Sequence, residues 1–247
     1  MQEPSEIPRL ALIDICRSVA LAGMIAYHFV YDLAYFGVLP PGSATHGGWG
    51  IFARIVAGSF IFISGASLYL AHRNGFRTKL FLNRLSKLVF FAASISLATY
   101  LIMPGNFVYF GILHSIAVSS CVGAIFLRAH TAVTMLSSFA AYALSYAKIG
   151  SFADYPLLVW TGLLTDHPHS MDFEPTFPWL SPFLLGLALA QAAERIGLLE
   201  PLSRIPTIDN PLVASAVWAG RHSLFIYLVH QPILMGSVFA AASLMRS

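Results

Sequence analysis

The sequence predicts an all-α, polytopic integral membrane bundle of about seven transmembrane helices, and three observations carry that prediction. Of the 247 residues, 57% are hydrophobic and only 10% charged, against roughly 25% charged in soluble domains. Apolar runs of about 20 residues, long enough to cross a hydrocarbon core, recur along the whole length. The Lys and Arg residues gather between those runs, as cytoplasmic loops require. Topology thus accounts for the net charge of +3 and the pI near 9, and no nucleic-acid partner is expected.

Seven spans read at about 10–36, 50–71, 84–103, 107–127, 131–148, 177–193 and 221–244. Glu3 and Glu6 precede the first span without a positive n-region, so it reads as an uncleaved signal anchor. Pro40-Pro41-Gly42-Ser43 and His46-Gly47-Gly48 break the chain before the second. Arg73, Arg77, Lys79, Arg84 and Lys87 place the next connection in the cytoplasm. Arg128, Arg195, Arg204 and Arg221 fall on that side too, leaving Lys148 and Arg246 outside. The N-terminus is then cytoplasmic and the C-terminus outside. The stretch 154–164 is apolar but short, and reads as interfacial or re-entrant. Residues 194–220 read as a connector. The chain 1–247 is treated as a single domain with no internal repeat, and Cys16 and Cys121 as buried free thiols.

The first span carries four ionisable groups, which are costly in a membrane and mark a pathway or a reactive site. With Asp14 at zero, a turn of ~100° per residue puts Arg17 near −60°, His28 near −40° and Asp32 near 0°. All four share one stripe, with Tyr35. Asp14 and Arg17, three apart, can pair with each other, or the guanidinium can hold a phosphate. His28 and Asp32, four apart, suit a carboxylate orienting an imidazole that acts as base or acyl acceptor. His46 lies among glycines that let a substrate approach the backbone. Arg54, inside the second span, needs a partner, with Asp32 and Asp172 available.

His114 opens the fourth span, and in the last span Ser223, Tyr227 and His230 share a face within ~60°. Pro232 predicts a kink there. Three spans thus offer a histidine toward a shared interior. Three imidazoles suit zinc, but their spacing is not diagnostic and no metal is predicted. Segment 166–179 reads as a rigid outer cap or as a loop entering a helix. A proton- or anion-coupled transporter using the Asp14/Arg17/His28/Asp32 stripe is the rival class.

Taken in order, the motifs resemble a known family. Arg9-Leu10-x-x-Ile13-Asp14-x-x-Arg17-x-x-Ala20, then Met24-Ile25-x-Tyr27-His28, resembles the opening of the bacterial relatives of heparan-α-glucosaminide N-acetyltransferase, within a wider group of transmembrane acyltransferases. Phe60-Ile61-Phe62-Ile63-Ser64-Gly65-Ala66-Ser67 and Gly111-Ile112-Leu113-His114 are similar to later motifs of that family. So are Met171-Asp172-Phe173-x-Pro175-x-x-Pro178-Trp179 and Gly220-Arg221-x-Ser223-Leu224-x-Ile226-Tyr227-x-x-His230-Gln231-Pro232.

The resemblance implies transfer of an acyl group, usually acetyl from acetyl-CoA, to an acceptor across the membrane. His46 matches the lysosomal enzyme's reactive histidine, and His28 matches the first-span histidine of the wider group. Asp14 and Arg17 would bind the donor, with its phosphates also near the 72–87 loop. Asp32 would support His28, while Arg54, His114, Asp172, Tyr227 and His230 are substrate-pocket candidates. The partners implied are membrane lipids, acyl-CoA and a small-molecule or glycan acceptor in a bacterial inner membrane, with a homodimer left open. Ser18 stands where the family has Gly, and His222 where it has Asn.

Overall fold

The structure is a computed structural model that describes residues 10–203 and 210–246. Glu3, Glu6, Arg9 and Arg204, and the side chain of Arg246, lie outside the described residues. All seven expected spans are helical: α1 (Ala11–Tyr35), α2 (Gly47–His72), α3 (Thr78–Ile102), α4 (Ile112–Phe126), α5 (Thr131–Leu144), α6 (Thr176–Arg195) and, after α7 (Leu199–Ser203) and α8 (Pro211–Arg221), α9 (Ser223–Arg246). Five of them, α1, α2, α3, α6 and α9, are long and apolar enough to cross a membrane. α4 and α5 are shorter apolar helices of 15 and 14 residues. The chain is an all-helical integral membrane protein.

Local chemistry sets the ends. α1 stops at Gly37, whose φ of 73° is open to glycine at little steric cost. Gly37 N donates to Ala34 O and Val38 N to Leu33 O, which satisfies carbonyls the last turn would orphan. α3 begins at Thr78, six residues before the expected span, so Lys79 is helical along with Arg84 and Lys87. Arg84 is therefore no loop cation: it donates to Ser64 Oγ at 2.6 Å and Ser64 O at 3.2 Å. α4 begins five residues later than expected, because Phe110 forms an isolated bridge with Phe173 instead. Within 154–164 the chain forms a six-residue 3₁₀ helix, Pro156–Thr161, ended by Gly162 at φ 80°. At ~2 Å per residue it is far too short to span.

The connector expected over 194–220 contains an unforeseen helix. Asn210 accepts from Leu212 N and Pro211 sits in the first turn, two strong N-terminal signals that start α8.

The chain forms two compact units, Met1–Phe60 with Leu199–Ser247, and Ile61–Leu198, the division falling within α2. In the first, α1 packs against α8 and α9. Its core is Leu21, Met24 and Val56, with Ile25, Phe52, Phe60, Ile226 and Tyr227 packed around it. α8 crosses α1 at Gly220, where a Cβ would collide with the Asp14 carbonyl.

In the second unit α6 packs against α4 and α5, and α3 against α4. Ala141, Leu180 and Leu184 form a core with Val122, Phe126 and Phe177. Gly65 of α2 lies on the Phe183 carbonyl and Gly186 of α6 on the Phe62 carbonyl. Membrane helices associate through such small-residue crossings, since lipid removes any hydrophobic drive between them.

Candidate active site

α8 and α9 cover the ionisable stripe of α1. Asp14 is 5% exposed and Asp32 1%, while Tyr35, which the stripe arithmetic also included, is 49% exposed and packs its ring on Phe36. The two buried carboxylates are partnered in opposite ways, Asp14 by two cations and Asp32 on one oxygen by a neutral amide. Asp14 Oδ1 accepts from Arg17 Nη1 at 2.9 Å and Asp14 Oδ2 from Arg221 Nε at 3.4 Å. A single carboxylate thus gathers two guanidinium groups, with Arg221 about half exposed. The sequence marks Arg221 as a topological charge and as part of the last family motif, with no sign of its pairing with Asp14. Beside it, Ser18 donates to the Ala216 carbonyl of α8, so the hydroxyl at this position ties the two helices together. His222 Nδ1 bonds Trp218 O at 2.8 Å and its ring lies on Trp218.

Farther along α1 the expected His28–Asp32 pair does not form. Asp32 Oδ1 accepts from Gln231 Nε2 of α9 at 2.9 Å, and neither Asp32 Oδ2 nor His28 Nδ1 has a partner. The i,i+4 spacing brings the two residues to one face, but Asp32 is claimed by the neighbouring helix. The ring beside His28 is that of His230, at a centroid distance of 5.0 Å and an angle of 60°. Tyr27 packs on the other side at 5.4 Å, and Tyr227 stands 5.8 Å from His230.

His230 Nδ1 lies 2.6 Å from the Tyr227 carbonyl. A carbonyl can only accept, so Nδ1 carries the proton, and in the neutral ring Nε2 is the lone pair. His28 Nδ1, Asp32 Oδ2, His230 Nε2 and Gln231 Oε1 are all buried without a partner. Each such atom costs about 1–3 kcal/mol, and four in one cluster mark a place built to receive hydrogen-bonding groups. The sequence offers Gln231 beside Pro232 and within the last family motif, directly after His230, without indicating its bond to Asp32. α9 itself continues through Pro232 to Arg246.

His46 stands apart from this cluster. It is exposed just before α2, and its Nδ1 is used locally, 3.0 Å from Thr45 Oγ1 and 3.2 Å from Gly42 O. Arg54 is exposed on α2 and does not pair with Asp32.

His114 and Asp172 belong to the second unit, where they organise the start of α4. Gly111 N donates to His114 Nδ1 at 3.2 Å, closing the first turn, and His114 Nε2 lies 3.4 Å from Ser96 Oγ. Asp172 Oδ2 accepts from Ile112 N at 3.3 Å, placing a negative group at a helix N-terminus. Gly111 is what admits it, since a Cβ there would collide with that oxygen. Burial pushes the Asp172 carboxyl up to about 6, and the Ile112 amide pulls it the other way. Ser170 Oγ accepts from Tyr109 N and donates toward Phe107 O, so the segment before α6 forms an ordered cap over α4. Among the described residues no three His, Cys, Asp or Glu side chains gather to hold a metal ion.

A family model described as Heparan-alpha-glucosaminide N-acetyltransferase, catalytic, matches residues 9–232. No curated protein and no solved structure matches the chain.

Proposed function

Because the chain belongs to the heparan-alpha-glucosaminide N-acetyltransferase catalytic family, we propose that it is a membrane acyltransferase. It moves an acyl group, acetyl by family likeness, from cytoplasmic acyl-CoA to a hydroxyl or amine of a small-molecule or glycan acceptor on the outer side. The setting is a bacterial inner membrane, with the N-terminus cytoplasmic and the C-terminus outside. One observation carries the reading: α1 contributes both to a His28–His230 pair with unsatisfied buried atoms and to the cluster in which Asp14 gathers Arg17 and Arg221.

Arg17 and Arg221 take the donor's phosphates, for which guanidinium forks are well matched. Asp14 holds both in place. Eleven residues along α1, about 16 Å at 1.5 Å per residue, His28 Nδ1 attacks the thioester carbonyl. The new C–N bond forms as the C–S bond breaks, and the Nε2 proton passes to the departing thiolate. An acyl-imidazole remains, splitting one hard transfer into two easier ones. The acceptor then attacks the same carbon, the C–N bond breaks, and the acceptor's proton returns to His28. Asp32 and Gln231 lock α9 to α1 beside the reacting ring. His28 is favoured over His46 because it is enclosed and its Nδ1 is unspent, whereas His46 is solvated and bonded within its own loop.

Purified protein incubated with radiolabelled acetyl-CoA should carry covalent label and release CoA. His28→Ala should abolish both, while His46→Ala should keep both. Absence of CoA binding and release in the wild type, across a panel of sugars and amines, would remove the acyltransferase reading. Proton or anion flux in proteoliposomes without CoA consumption would replace it with transport.

A further inference from the structure

While His28 carries the acyl group, one of its nitrogens is blocked and the electron-withdrawing acyl group leaves the other only weakly basic, so the second half of the reaction gains from another base. We propose that His230 is that base, acting on the acceptor hydroxyl or amine; this rests on the acyl-carrier reading of His28. Four observations support the assignment. His230 is 7% exposed, so its basic nitrogen is shielded from bulk water. Its Nδ1–H is committed to the Tyr227 carbonyl at 2.6 Å, which fixes the tautomer and leaves Nε2 as the lone pair. That Nε2 has no partner. The ring stands 5.0 Å from His28, a separation that leaves the two imidazoles adjacent but not bonded.

The neighbouring groups complete the argument. Gln231 has given its amide N–H to Asp32 Oδ1, so its Oε1 and Asp32 Oδ2 are both acceptors with nothing to accept. With His230 Nε2, whose ring packs on His28, they make three buried acceptor atoms without a donor. An incoming O–H or N–H nucleophile supplies the missing donors. A thioester or a bare anion does not, so the cluster suits the acceptor half-reaction rather than the donor half.

In the step, the acceptor oxygen or nitrogen attacks the acyl carbon as its proton moves to His230 Nε2. The C–N bond to His28 breaks, and the His230 imidazolium hands that proton to the imidazolate released. Both histidines end neutral, and no external acid or base is consumed.

The test separates the two half-reactions in the full-length protein in detergent. Protein labelled with radioactive acetyl-CoA is freed of donor and chased with water, glucosamine or hydroxylamine. His230→Gln keeps an N–H for the Tyr227 carbonyl but has no basic nitrogen. It should acquire label near the wild-type rate and lose it to water and glucosamine roughly 10²- to 10⁴-fold more slowly, the usual reach of a general base. Hydroxylamine, which attacks without such help, should discharge the variant as fast as wild type, proving that the site is folded and open.

Slow hydroxylamine discharge, or equal loss of labelling and discharge, would overturn the assignment. So would an Asp32→Asn variant that blocks discharge while His230→Gln does not. A wild type that never carries label fails the acyl-carrier reading, and this proposal with it. A labelled wild type whose discharge His230→Gln leaves unchanged fails this proposal alone.

Discussion

Three aspartates show how little a residue's type says about its state. Asp14 lies under two guanidinium groups, Asp32 under a neutral amide, and Asp172 at the first amides of α4. Asp172 lies in the cap segment ahead of α6, and its carboxyl is raised from 3.8 to about 6. A raised carboxyl binds its proton more tightly in the folded state than in the unfolded one. Stability from this group is therefore greatest below about pH 4, declines as pH rises to about 6, and is level above that. Relative to Asp172→Asn, the wild type should lose thermal stability in detergent across that interval. Parallel melting curves from pH 4 to 7 would show that Asp172 ionises without strain.

The helices divide into those the sequence announces and those it conceals. Long spans are legible because about 20 apolar residues in a row have no other use, and stripe arithmetic on α1 works because one helix supplies all its own terms. α8 is concealed: its 11 residues are too few to span, and what holds it is a contact with α1 about 200 positions away. The same limit hid Arg221 and Gln231 as partners of α1, whereas His230 is expected to share an interior with His28 and does pack on its ring. That limit also made the His28–Asp32 pair look secure, since spacing within a helix cannot report a competitor on another.

Two glycines test the packing account. A Cβ at Gly220 would meet the Asp14 carbonyl, whereas one at Gly236 meets nothing within 4 Å. Gly220→Ala should destabilise by about 1–3 kcal/mol, the usual range for overpacking, and weaken acetyl-CoA binding as Arg221 shifts from Asp14. Gly236→Ala should be neutral or better, since Ala is the stronger helix former. Melting temperatures and acetyl-CoA titrations on the two variants check this, and similar losses in both would show that α8 does not press on α1.

Across the whole molecule α1 sets the scale. Asp14 and Asp32 are 18 residues apart, which at 1.5 Å per residue is about 27 Å, close to the ~30 Å of a hydrocarbon core. The stripe is therefore about as long as a hydrocarbon core is thick, which is what the proposed transfer across the bilayer requires. On the proposed function, the guanidinium pair at one end takes a polyanionic donor that cannot enter lipid, and the imidazole pair nearer the other takes the acceptor. In proteoliposomes, acetyl-CoA supplied on the face bearing the N-terminus should acylate glucosamine trapped on the other. Placing donor and acceptor together on either face should yield little product. Equal yields from same-side mixing would mean that both substrates reach His28 from one surface, and that the length of the stripe serves anchoring rather than transfer across the bilayer.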